Sequence, residues 1–332
     1  MLYRLLLLAM LMYGNFCAAQ QAMETYAEQL GFAKGSKVLI LHVDDAGMSY
    51  DSNEGTIRAM TEGVANSCSV MMPCSWVPGM LRFLKSNPGI DAGLHLTLTS
   101  EWQDYRWVPL AGKQLVPGLT DSTGSLWRSV ADVVAHATAD EVEKEIRAQI
   151  DRAESMGFVP THYDSHMGTL FASPAFLERY VKIGIEKKTP VMFPAGHNKL
   201  IQQQSKLPAE QMKAMQQTGQ MLWQAGLPVL DDLHNFSYEW KIPAGVQSDK
   251  QLQAYKTKKY IQALHQLQPG LTMMIMHCTA PSNIFTFISD SGPLRKADML
   301  AMLDPAFKAA LKKEKIILTT WRELKQKRDA LR

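Results

Sequence analysis

The sequence has few cysteines, four in 332 residues, and none stands in CxxC spacing. That excludes a structural zinc site of the cysteine-paired type. It also has no basic stripe interleaved with aromatics, and its net charge of +3 is spread without long runs. No nucleic-acid partner is therefore expected. Past the N-terminus no stretch approaches the roughly 20 apolar residues of a membrane span, so no span is expected in the mature protein. There is no internal repeat and no low-complexity linker. What is present is an ordinary globular composition, 46% hydrophobic and 20% charged, with ample material for a large core. Twenty methionines, many in apolar strings such as Met71-Met72 and Met273-Met274, read as core filling.

The first residues stand apart. Arg4 is the only charge in residues 1–12, residues 5–12 are apolar, and Cys17, Ala18 and Ala19 follow. This is the pattern of a secretory signal, 1–19, cut near Ala19. Bulky Phe16 argues against a lipid anchor on Cys17. The expected location is periplasmic or secreted, with an N-terminal extension over 20–35. Removing the signal leaves Cys68, Cys74 and Cys278, an odd number, so at least one thiol stays free or pairs between chains. Cys68 and Cys74 are close enough in sequence to bridge, and spacing alone leaves that open.

From residue 36 onward, apolar runs alternate with amphipathic stretches. The runs fall at 38–43, 67–72, 92–98, 159–164, 191–193, 271–277 and 316–319. Helices are predicted near 51–62, 78–86, 139–156, 174–187, 207–224, 249–267, 296–312 and 320–331. The stretch 139–156 is the clearest, with Val142, Ile146, Ile150 and Ala153 at helical spacing. Such alternation implies parallel strands joined by crossover helices. Seven or so units point to an α/β fold, a barrel more than an open sheet, as a single domain over 36–332. Residues 100–137, rich in Trp, Pro, Gly and Ser, read as a long functional loop beyond a strand end.

Four segments carry chemistry. In Leu39-Ile40-Leu41-His42-Val43-Asp44-Asp45-Ala46-Gly47 an apolar strand runs into two adjacent carboxylates. Two carboxylates at a buried strand end are costly unless a cation or donors are present. One can ligate a metal while the other acts as a base toward water; a helix cap would need only one. In Gly93-Leu94-His95-Leu96-Thr97-Leu98-Thr99, alternation puts His95, Thr97 and Thr99 on one face. In His162-Tyr163-Asp164-Ser165-His166, three ligand-type residues lie at i, i+2 and i+4, sharing one face of a strand. In Leu271-Thr272-Met273-Met274-Ile275-Met276-His277, another apolar strand stops at a histidine, which suits a general acid at the site's rim. Cys278 lacks an activating pattern and is not read as a nucleophile. In a barrel, strand ends of this kind gather on one face, and one Asp with two His leaves open positions for water and substrate.

Together these segments resemble those of the YdjC-like (ChbG-type) carbohydrate deacetylases, relatives of the polysaccharide deacetylases, over about residues 37–325. Asp44-Asp45-Ala46-Gly47-Met48-Ser49 resembles the family's DDFGLS, residues 93–99 its GLHLNLT, and residues 162–166 its HxDSH. The resemblance implies a distorted (β/α) barrel of about seven parallel strands, and Asp45, His95 and His166 as ligands of one divalent metal ion, Zn²⁺ or Mg²⁺, with Asp44 as catalytic base. His277 is similar to the late histidine of the HPG segment. Two departures stand out. Met167-Gly168-Thr169 replaces the usual HxH continuation, and His277-Cys278-Thr279 replaces HPG. The implied reaction is metal-dependent hydrolysis of the N-acetyl group of an amino sugar or oligosaccharide. The competing readings are a metal-dependent phosphoesterase, which needs more cationic side chains than isolated Arg58, Arg82 and Arg106, and a non-catalytic carbohydrate-binding protein, which needs no Asp44. Trp102, Tyr105 and Trp107 are equally suited to stacking on sugar rings and to packing their own loop. Asp232 and His234 read as loop residues away from the site.

Overall fold

Alternation of apolar residues in the first strand has a direct structural consequence. Leu39, Leu41 and Val43 join one buried apolar cluster, while Val38 and Ile40 join another. The sheet is therefore covered on both faces, as expected for parallel strands. This description rests on a computed structural model, which describes residues 24–331; the expected signal, 1–19, lies outside the described residues. The strands are β1 Lys37–Ala46, β2 Ser67–Val70, β3 Ala92–Leu96, β4 Tyr163–Ser165, β5 Asp232–His234, β6 Gly270–Met276 and β7 Ile317–Leu318. All pair in parallel, in the order β4-β3-β2-β1-β6-β5, with β7 on β1.

The sheet curls until its ends are joined by one irregular segment. Tyr163 N donates to Pro190 O (2.9 Å), Met192 N to Tyr163 O (2.8 Å), and Leu230 N to Phe193 O (3.1 Å). Residues 190–195 thus bridge β4 to the approach of β5, and the expected distorted barrel is observed. The flank of β1 changes partner midway, from β7 at Val38 and Leu39 to β2 from His42 onward. Asn66 fills the gap: its Oδ1 accepts from Leu41 N (2.9 Å) and its Nδ2 donates to Thr319 O (2.9 Å).

Several expectations are corrected. The run 159–164 is mostly not strand: Pro160 has no N–H to donate, Val159 is 83% exposed, and the strand itself spans Tyr163–Ser165. β3 stops at Leu96, because Gln149 takes both Thr97 N and Thr97 O (2.9 and 2.7 Å). The single helix expected at 296–312 is two, Gly292–Met302 and Pro305–Lys313. Pro305 excludes helical geometry from the residue before it, and Asp304 caps the second helix through Ala306 N (2.8 Å). Asp232 and His234 are not loop residues but the two ends of buried β5, and Asp231 just before them is structural. Asp231 accepts from Tyr26 N, Ala27 N and Leu271 N (2.9, 3.1 and 2.8 Å), which pins the N-terminal segment to the barrel. Cys68, Cys74 and Cys278 are free buried thiols. No helix among the described residues is long and apolar enough to cross a membrane.

Helix Ala139–Ser155 shows how the long loop is held. Thr138 and Glu141 form a capping box, and Val142, Ile146, Ile150 and Ala153 are buried. Its inward polar residues, one turn apart, grip the loop backbone. Glu141 accepts from Gly118 N (2.6 Å), and Glu145 accepts from Leu110 N and Ala111 N (3.0 and 2.9 Å). The loop also adds to the main core: Trp107, Val116, Leu119, Leu126 and Val133 are buried in the same apolar cluster as β1, β3 and this helix.

Candidate active site

Strand alternation should send Asp44 and Asp45 to opposite faces. A β-bulge prevents it. Between Val43↔Cys68 and Ala46↔Val70, two β1 residues oppose only Ser69, and Asp45 adopts φ 66°. Aspartate tolerates this left-handed conformation better than most residues. Gly47 follows at φ 84°, where a Cβ would meet Val77 Cγ2 at 2.9 Å, so the turn after the acids requires glycine. Both carboxylates end up lining one cavity, with His95, His166, His277 and Arg295.

Three atoms converge there. Asp45 Oδ1 lies 3.3 Å from His95 Nε2 and 3.4 Å from His166 Nδ1. Tetrahedral bonds of about 2.0–2.1 Å to one ion would put ligand atoms about 3.3–3.4 Å apart. The three residues form one of the clusters of suitable spacing among the described residues, and all are buried. Asp45 Oδ1 is buried yet accepts no well-aligned hydrogen bond. The far nitrogen of each ring meets an acid: His95 Nδ1 lies 2.6 Å from Asp164 Oδ1, and His166 Nε2 3.1 Å from Glu101 Oε2. Acids behind the rings fix tautomer and orientation and raise ligand basicity. The residues present therefore fit a divalent cation.

The electrostatics agree. Burial alone would push the Asp45 carboxyl up, but Arg295 Nη1 at 2.6 Å, with His166 and His95 beside it, holds it well below the usual carboxylate range. Burial also works against a proton on His166, yet Glu101 and Asp45 push it up to about 9. These acids favour positive charge at this spot, and a bound cation answers the same demand.

Asp44 lies beside this set. Its Oδ1 is 3.2 Å from His42 Nε2, while its Oδ2 is 3.8 Å from His95 Nε2 and 3.9 Å from His277 Nε2. His42 is itself placed by Ser67 Oγ (2.9 Å) and Ser69 Oγ (3.0 Å), and lies 2.9 Å from Asp164 Oδ2. Burial pushes His277 below the ordinary imidazole value; Asp45 opposes this and Arg295 adds to it.

Not every expected residue reaches the cavity. His166 begins the turn His166–Phe171 rather than continuing β4. His162 lies deeper, stacked on Trp321 (centroids 5.2 Å apart, 21° between planes) and edge-on to His42. Gly93 makes that possible, since a Cβ there would sit 2.5 Å from the His162 ring. Thr97 and Thr99 are spent locally, on His95 O and Met167 Sδ. Trp102 lines the cavity, whereas Tyr105 donates to Met48 O and Trp107 to Thr99 O within the loop's packing. Sequence reasoning missed Glu101, which follows the 93–99 segment directly, and Arg295, for which the sequence carries no local signal.

Residues 38–313 match the family described as YdjC-like protein. A carbohydrate deacetylase of Thermus thermophilus is 29% identical over 299 residues, 90% of this chain and 97% of that one. A carbohydrate deacetylase of Brevibacillus brevis is 35% identical over 156 residues, 47% of this chain and 59% of that one. Among solved structures, a protein of Enterococcus faecalis V583 with a proposed role in cellobiose-phosphate cleavage shares the fold, with a TM-score of 0.68 at 20% identity, over 87% of this chain and 99% of that one. Motif, fold and site geometry lead to the same place: this chain belongs to the YdjC-like protein family.

Proposed function

We propose that the protein is a divalent-cation-dependent hydrolase that removes the acetyl group from an N-acetylated amino sugar or oligosaccharide. The observation that carries this reading is the meeting of Asp45 Oδ1, His95 Nε2 and His166 Nδ1 at 3.3 and 3.4 Å, with a second carboxylate, Asp44, beside them. Relatives named carbohydrate deacetylase supply the substrate class. The apolar run at residues 5–12 supports export and a substrate outside the cytoplasm.

A cation held by these three residues supplies a Lewis acid for the amide carbonyl and lowers the pKa of water toward neutrality. Two imidazoles in the donor set favour zinc over magnesium. Asp44 is the general base. His42 takes one of its oxygens, which leaves Oδ2 facing the space between His95 and His277, where the attacking water's proton is collected. His277 approaches from the other side and gives a proton to the departing nitrogen. Its lowered pKa disfavours a standing positive charge, so the proton it passes on is the one Asp44, 3.9 Å away, has taken from the water. Asp164 and Glu101 keep His95 and His166 in one tautomer, and Arg295 keeps Asp45 ionised and fixed.

Charge argues against a phosphoester substrate. The cavity is lined by Asp44, Asp45, Glu101 and Glu239, and its one Lys or Arg, Arg295, is already held by Asp45. A neutral amide enters such a site, and the amine it yields is favoured there. The test is acetate release from a panel of N-acetylated oligosaccharides before and after chelation, with metal content measured on the same samples. Release that stops on chelation and returns with one equivalent of zinc is expected. Silence across the panel at full metal occupancy would leave a saccharide-binding role in its place.

A further inference from the structure

The cavity is much larger than the site it contains. Its volume is about 650 Å³, and the residues assigned to the chemistry line only part of it. Part of its lining carries Asp44, Asp45, Glu101, the three histidines, Arg295 and Trp102. Another part, an apolar wall, includes Phe171, Met192, Ile201, Met215, Leu233 and Ile275. These come from the turn after β4, the bridging segment 190–195, helices Lys199–Ser205 and Ala209–Gln224, and strands β5 and β6. Six separate parts of the chain thus converge on one apolar surface. All six side chains belong to, or pack on, the apolar cluster that fills the barrel interior, so the wall is backed by the core. Gln204, Ser205, Asn235, Tyr238 and Glu239 also line the cavity, and all five are exposed.

Sugar hydroxyls pressed against that wall would give up water and find no donor or acceptor, which is unfavourable. A hydrocarbon chain loses nothing there and gains with each methylene removed from water. We propose that this wall binds a hydrocarbon chain carried by the substrate, either as an N-acyl group longer than acetyl or as an alkyl aglycone. The proposal rests on the amide-hydrolase reading of the polar part of the lining for the position of the scissile bond.

Two substrate series separate the sources: N-acylglucosamines from acetyl to hexanoyl, and alkyl N-acetylglucosaminides from methyl to octyl. The expected result is a rise in kcat/KM along one series of up to about fourfold per methylene. A rise in the acyl series places the acyl chain on the wall, and a rise in the glycoside series places the aglycone there. M215W, which fills the chamber, and M215S, which puts a hydroxyl into its wall without adding bulk, should both lower the long-to-short ratio of kcat/KM. Hydrolysis that stays flat or falls along both series overturns the proposal and leaves the deacetylase reading standing. If no member of either series is hydrolysed, the deacetylase reading fails, and calorimetry with n-octyl glucoside below its micelle concentration decides the rest. Octyl glucoside binding at least tenfold tighter than methyl glucoside, and weakened in M215S, sustains the hydrocarbon site; equal binding of the two glucosides overturns it.

Discussion

The two halves of the barrel interior are built from the same parallel strands with opposite chemistry. Strands β1 to β4 and their ends contribute His42, Asp44, Asp45, His95, Asp164 and His166, all buried, whereas β5 and β6 contribute Leu233, Leu271, Met273 and Ile275. In the apolar half each side chain contributes through area and fit, so its loss is felt locally. In the polar half each group is placed by another. Asp164 reaches both His95 and His42, His42 reaches Asp44, and Arg295 reaches Asp45. Loss of one member therefore propagates, and energies there do not add. The difference separates a region built for stability from one built for chemistry.

The largest effect that would sharpen this contrast is chemical. Asp44→Asn should lower acetate release by about 10³- to 10⁴-fold while thermal unfolding and metal content stay near wild type. Release that survives this change would break the assignment of the base. Next is the apolar half. Met273→Ala empties a fully buried position and should cost about 2–5 kcal/mol in denaturant unfolding, with the rate per folded molecule preserved. Asp164→Asn should then weaken cation affinity by about 10- to 100-fold, read by competition with a chelating indicator. Affinity equal to wild type would mean that Asp164 does not act through His95. The smallest effect expected is none. Burial, with Asp298 nearby, pushes the Cys278 thiol well above its ordinary value, so iodoacetamide should leave the native enzyme unlabelled at Cys278 and fully active.

The parts of this site that were legible in sequence were those written next to one another. Asp44-Asp45, His95 and His166 each sit at the end of an apolar run, and a barrel brings such ends together without further information. What the sequence hides is geometry that breaks the strand rule. The bulge at Asp45 has no sequence mark of its own, and neither does the end of β3 at Leu96, which depends on Gln149 from a helix beyond the long loop. β5 was missed because Asp232 and His234 give it the look of a turn, although both are buried in the sheet. Arg295 was missed because it lies on an ordinary helix and its role depends wholly on where that helix packs.

That last dependence sets when the protein can become an enzyme. Asp45 is laid down early in synthesis, and its counter-charge, Arg295, comes 250 residues later. The central strand β1 likewise takes one whole flank from β6, near the far end of the chain. A growing chain that folded as it emerged would hold clustered acids with no guanidinium beside them, and their mutual repulsion would resist early closure. Assembly of the site is thereby deferred until nearly the whole polypeptide has been made.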